Sequence, residues 1–194
     1  MRVRKPAKVT SVIVGMMGLI LLAGTPGSGQ KLAKSLTIQA TAMGESTQIG
    51  QMYNVTLVIE EYSTPDDQKA LLTAFSEKQN EGLVNALTKM KSKGRMFMTG
   101  TLGYDVAYIR QWKEPDGTTK IRLVTNRPIR FGEAWSDSRS MDYNLSGVEI
   151  TLSPDKKKSS GSLVPQCQLK LNKENQIELA LYQNAWRLAN IMER

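Results

Sequence analysis

The chain of 194 residues contains no histidine and one cysteine. Without imidazole, a Ser-His-Asp or Cys-His nucleophilic arrangement is excluded, as is a histidine-ligated catalytic zinc. One thiol excludes an internal disulfide framework and a Cys/His zinc module. Acids are missing from the first 44 residues, which instead carry Arg2, Arg4, Lys5 and Lys8 ahead of an uncharged apolar run, Val12–Ala23. That run is shorter than the ~20 residues a spanning helix needs, and Gly15 and Gly18 weaken it.

A basic start, a short apolar stretch and small residues after it (Gly24 to Gly29) form the pattern of a secretory signal. Residues 1–30 are therefore expected to be a signal peptide with its cleavage region. An uncleaved anchor and a buried core helix are the alternatives. Leu22-Ala23-Gly24-Thr25 has the outline of a lipoprotein box, but Thr25 stands where the acylated cysteine belongs. Gly24 to Lys31 resembles a phosphate-binding loop, yet Gln30 separates Gly29 from Lys31 and Leu32 follows, so the motif fails. Arg2 and Arg4 are not adjacent, which disfavours a twin-arginine signal.

The signal also distorts the charge. The whole chain carries +8, but residues 1–30 hold four cations and no acid, leaving +4 on the remainder. Such a modest excess does not argue for nucleic acid. Outside the cytosol Cys167 lacks a partner in its own chain, and its place on the apolar side of an expected strand makes it a buried, inert thiol.

Residues 31–35 read as a linker, and 36–194 as a single antiparallel β domain with a helical insertion at 64–92. Leu36 to Ala42 alternates, and Tyr53, Val55, Leu57 and Ile59 alternate more strongly with polar neighbours. Thr64-Pro65-Asp66-Asp67 is a helix start, with a capping hydroxyl, proline at the first position and acids in the first turn. Leu71, Leu72 and Phe75, then Leu83, Val84, Leu87 and Met90, describe two short amphipathic helices.

Beyond Gly94 the apolar period is two. Tyr104, Val106, Tyr108, Arg110 and Trp112 are expected on one face, with Ile121 and Leu123 returning after the Pro115-Asp116-Gly117 turn. Val148, Ile150 and Leu152 form a further strand. Leu163, Cys167, Leu169 and Leu171, then Ile177, Leu179 and Leu181, follow, and Trp186 to Met192 would close the meander. The expected fold is α+β, mainly β: an antiparallel meander of about nine strands, strongly curled or barrel-like, with the helical pair inserted after the second strand.

Chemistry-bearing residues concentrate between Asn126 and Tyr143. Arg127, Arg130 and Arg139 offer planar forks for carboxylate or phosphate, and Trp135 and Tyr143 offer stacking surfaces, making these five the candidate ligand-binding residues. The competing reading pairs the arginines with Glu133, Asp137 and Asp142 and uses the aromatics to plug the sheet. Asp105, Glu133, Asp137 and Asp142 could also serve as an acid–base set, although solvated surface acids are the default. No catalytic residue, cofactor or metal is assigned. Lys156-Lys157-Lys158 is expected to be a solvated turn, with attraction to an anionic membrane as the alternative.

The runs Val55 to Asp67, Gly100 to Tyr108, Thr125 to Ile129 and Arg139 to Tyr143 resemble a group of uncharacterised exported bacterial proteins over roughly residues 50–152. That resemblance implies export, to the periplasm or the extracellular space, and no activity. The function expected is a non-enzymatic envelope protein binding a small or lipid-like molecule or a protein partner. It would bind no nucleic acid and meet the membrane only during export. A histidine-free hydrolase or lyase on an envelope polymer, and a structural or assembly role, are the alternatives.

Overall fold

The computed structural model describes residues 31–127, 129, 145–172, 176–180 and 185–194. Nine strands and one helical segment follow in the order β1 (Lys31–Met43), β2 (Met52–Glu61), α1 (Pro65–Lys89), β3 (Gly94–Met98), β4 (Tyr104–Lys113), β5 (Thr119–Thr125), β6 (Leu145–Leu152), β7 (Ser160–Leu171), β8 (Ile177–Ala180) and β9 (Trp186–Glu193). Every pairing is antiparallel. The order β6-β5-β4-β3-β2-β1-β9-β7 closes on itself through β6–β7, giving an eight-stranded barrel, and β8 extends β7 outside the closed ring. The meander and its helical insertion after the second strand are as the periodicity predicts.

An eight-stranded barrel has an interior just wide enough for side chains to fill. Here it is filled by Ile38, Leu57, Ile59, Met96, Ile109, Leu123, Ile150 and Trp186, which belong to one buried apolar cluster with partners from all eight barrel strands. A second cluster lies on the outer wall, where Leu71, Leu83 and Leu87 of α1 and Ile177 and Leu179 of β8 cover Tyr108, Val124, Val164 and Cys167. Gly147 of β6 permits that cover, because a Cβ there would come within 2.2 Å of Leu179 Cδ2.

Three local departures from simple alternation shape the wall. The β4–β5 register shifts between Val106 and Tyr108. Val106 and Ile109 therefore face inward while Ala107 and Tyr108 join the outer cluster, so the expected single face from Tyr104 to Trp112 is split. The β6–β7 register shifts between Leu145 and Gly147, around Pro165. That bulge puts Leu163 inside the barrel but Cys167 and Leu169 outside it. Finally, β1 begins at Lys31 rather than Leu36: the expected linker lies within the strand, with an irregular register between those two residues.

The helical segment starts as the sequence dictates. The Thr64 amide donates to Asp67 Oδ2 at 2.7 Å and the Asp67 amide donates to Thr64 Oγ1 at 3.0 Å, a reciprocal cap behind Pro65. Lys78 and Gln79 break the helix, Gln79 with φ of 51°, dividing it into the expected pair. Lys93, 6% exposed, ties the start of α1 to the barrel through Asp67 at 3.1 Å and Glu61 at 3.2 Å. Burial alone would raise the Asp67 carboxyl, but the Thr64 and Lys93 hydrogen bonds outweigh it and hold the group below its ordinary value. Burial would likewise lower the Lys93 ammonium, and its two carboxylates hold it above its ordinary value.

Candidate functional site

The antiparallel registers sort the connections between two rims. One carries the start of β1, the ends of α1, the β4–β5 turn and the Lys156–Lys158 turn. The other, called here the upper rim, carries the β1–β2 and β3–β4 connections, the end of β5 and the starts of β6 and β9. Just inside this upper rim, Trp186 and Tyr53 pack with ring centroids 5.5 Å apart at a 56° tilt. Aromatic side chains thus occupy the barrel near its mouth.

The upper rim holds three large apolar side chains in solvent: Ile49 at 79%, Met52 at 63% and Leu102 at 94% exposure. Ile49 follows a 3-10 turn, Ser46–Gln48, whose Gln48 side chain is buried. Gly44 N–H donates to Gln51 O at 2.9 Å, closing that connection at its base. Leu102 sits on a connection tied still more firmly. The Thr101 hydroxyl donates to Met98 O at 3.0 Å and accepts from the Met98 and Gly103 amides, each at 3.3 Å.

Two guanidiniums then hold consecutive carbonyls of the same connection. Arg95 Nη2 donates to Leu102 O at 3.2 Å, and Arg127 Nη2 donates to Gly103 O at 3.3 Å. Arg95 lies over Phe97, 5.0 Å from its centroid, and Arg127 over Tyr104 at 5.1 Å. Gly103 is required by its φ of 86° and by Phe97, whose Cδ1 would lie 2.8 Å from an added Cβ. Leu102 is therefore presented on a constrained backbone, which loses little conformational freedom on docking.

Arg127 belongs to this rim and is exposed. Its position is set by Thr125, whose hydroxyl donates to Arg127 O at 2.6 Å. Ile129, two residues on, is buried and donates its amide to Ser146 Oγ at 2.6 Å. The other expected ligand-binding residues, Arg130, Trp135, Arg139 and Tyr143, lie outside the described residues, so Arg127 alone is assigned a place. Glu133, Asp137 and Asp142 lie outside them as well. Asp105, the fourth member of the possible acid–base set, is 61% exposed and bonded to Arg95 at 3.3 Å, a surface ion pair.

Among the described residues no group of three or more Cys, Asp or Glu side chains could hold a metal. Cys167 is buried, and burial pushes its thiol up to about 12, so the thiolate that a nucleophile or soft-metal ligand requires is suppressed. Lys156–Lys158 form an exposed 3-10 turn at the opposite rim, with Lys158 3.8 Å from Asp155.

The residues that periodicity missed are Ile49, Met52 and Leu102. Their one sequence signal is an aliphatic side chain set among turn formers, as in Gly100-Thr101-Leu102-Gly103. Exposure could be assigned only once the strands on either side were paired. Comparison of the chain with protein-family models, curated proteins and solved structures gives no match, so the functional reading rests on this geometry.

Proposed function

We propose that the chain is an exported, non-enzymatic envelope protein that binds a partner protein through its upper rim. The single observation carrying this reading is the presentation of Ile49, Met52 and Leu102 in solvent at the same rim, on two connections and the first residue of β2. Large apolar side chains exposed at one rim mark it as an interaction surface. Arg127 gives the surface its polarity: among the described residues its guanidinium contacts a carbonyl and a ring but no carboxylate. A partner with an apolar face edged by carboxylates complements it.

Packing of Trp186, Tyr53 and the aliphatic interior favours a surface role over an enclosed small-molecule site. Export rests on the N-terminal pattern of residues 1–30. No helix among the described residues is long and apolar enough to cross a membrane.

Photo-crosslinking in the native cell tests the proposal. A crosslinker at position 49 is expected to capture one discrete protein, a crosslinker at Asp116 on the opposite rim to capture none, and Leu102→Asp to abolish the product. Equal capture from both rims, or a product indifferent to Leu102→Asp, overturns it. A product at twice the chain's own mass would assign the rim to self-assembly instead. Fractionation gives the separate test of export, which fails if the processed chain stays in the cytosol.

A further inference from the structure

The outer wall carries a second arrangement that the rim does not use. Arg110 of β4 and Arg122 of β5 are direct cross-strand partners. Like charges in that relation repel, so their retention on a folded wall calls for something that offsets the repulsion. Part of the offset is an aromatic floor: the Arg110 Cζ lies 5.5 Å, and the Arg122 Cζ 5.2 Å, from the centroid of the same Trp112 ring. The indole is held by its own N–H, which donates to Glu114 Oε1 at 2.9 Å, and Lys120 pairs with that carboxylate at 3.1 Å.

The two arginines differ in their partners. Arg122 is saturated on one side, bonded to Glu149 at 2.5 Å and to the Ile177 carbonyl of β8. Arg110 has no ion pair among the described residues, and its Nε is buried without a hydrogen-bond partner. Around Trp112, Glu149 pairs with Arg122 and Glu114 with Lys120, while Arg110 has no carboxylate of its own among the described residues. The wall there is stiff, being backed by the barrel ladder and by the β8 carbonyl.

We propose that Arg110, with Arg122 beside it and Trp112 beneath, forms a binding site for a small oxyanion, a phosphate or carboxylate group carried by a small molecule. A planar guanidinium offers parallel donors to two oxygens of such a group. The anion would give Arg110 the ion-pair partner it lacks and offset the repulsion between two opposed guanidiniums. Arg122, fixed by Glu149 and Ile177, supplies the field, and Arg110 supplies the free fork. This site is independent of the upper rim, and neither stands or falls with the other.

The test titrates the purified protein with inorganic phosphate and, in a second series, with citrate, each at constant ionic strength against chloride. The readout is the arginine Nε–H resonances by NMR together with tryptophan fluorescence. A saturable shift of the Arg110 resonance in either series is the expected result. The series that saturates tells a phosphate from a carboxylate ligand. Arg110→Gln is expected to weaken binding by about tenfold or more, and Arg110→Lys, which keeps charge but loses the fork, by a smaller factor. Arg110→Gln trades the repulsion from Arg122 against the lost Trp112 contact, so the melting temperature of the anion-free protein should change little. Shifts that follow ionic strength alone, or affinity unchanged in Arg110→Gln, would overturn the proposal.

Discussion

The barrel interior and its covered outer wall are both buried and both apolar, yet they are built by different rules. Inside, alternation along eight paired strands delivers one side chain in two to a common core. Outside, the second cluster draws on the complementary positions of β4, β5, β6 and β7 and covers them with α1 and β8, and two register shifts feed it. The interior therefore depends on closure of the whole sheet. The outer wall depends on a few tethers, chiefly Lys93 with Asp67 and Glu61. The same protein thus has one core that is cooperative by construction and another that is attached to it.

Substitutions can break that contrast, beginning with the largest expected effect. Trp186→Ala removes the fully buried indole that fills the barrel below its upper rim and is expected to cost about 4 kcal/mol, seen as a lowered midpoint of the global transition in denaturant. A small effect, or a barrel that stays intact while α1 is lost, would reverse the roles of the two cores.

Lys93→Met tests the tether. Removing the ammonium leaves Asp67 and Glu61 facing each other, part-buried, at an expected cost of about 3 kcal/mol. The pH dependence follows from the two shifts. Asp67 is held below its ordinary 3.8, so its contribution is present above that value and is lost as pH falls through the folded pKa. Lys93 is held above its ordinary 10.5, so its contribution is complete below that value and is lost as pH rises through the folded pKa. Denaturation curves across pH should show both limbs in the native protein, with the alkaline limb flattened in Lys93→Met.

Leu71→Ala removes a buried α1 side chain from the outer-wall cluster and should cost about 2.5 kcal/mol. Its signature distinguishes it from Trp186→Ala: hydrogen exchange should accelerate in α1 while β2 and β3 keep their protection. Uniform acceleration would mean that the two cores unfold as one. Smallest of all, Leu102→Asp should change stability by no more than about 0.5 kcal/mol, because the side chain is 94% exposed. A larger loss would make Leu102 a structural residue and remove it from the binding surface.

The legibility of the sequence divides along the same line. The strands of the interior were readable from Val55, Leu57 and Ile59, or Ile121 and Leu123, because alternation is a local signature of a half-buried ribbon. The start of α1 was readable too, since Thr64, Pro65 and Asp67 act on one another within a single turn. The bulges near Ala107 and Pro165 were not, because each arises from the register a strand adopts against its neighbour. For the same reason Tyr108, Arg110 and Trp112 kept their mutual alternation but were separated from Val106. Of the candidate site, Arg127 was singled out by residue type and lies on the upper rim, whereas Leu102 was invisible: an aliphatic residue reads the same in a core and at a tip.

The amino-acid order by itself determined the absence of imidazole chemistry, the pleated two-sided strands and the helix start. Those properties depend on residue type and on neighbours a few positions away. Closure of the sheet through β6–β7, the exposure of the upper-rim residues and the meeting of Arg110, Arg122 and Trp112 were decided only in three dimensions. Each of these requires segments distant along the chain to adopt one register, and register is settled by the packing of the whole barrel.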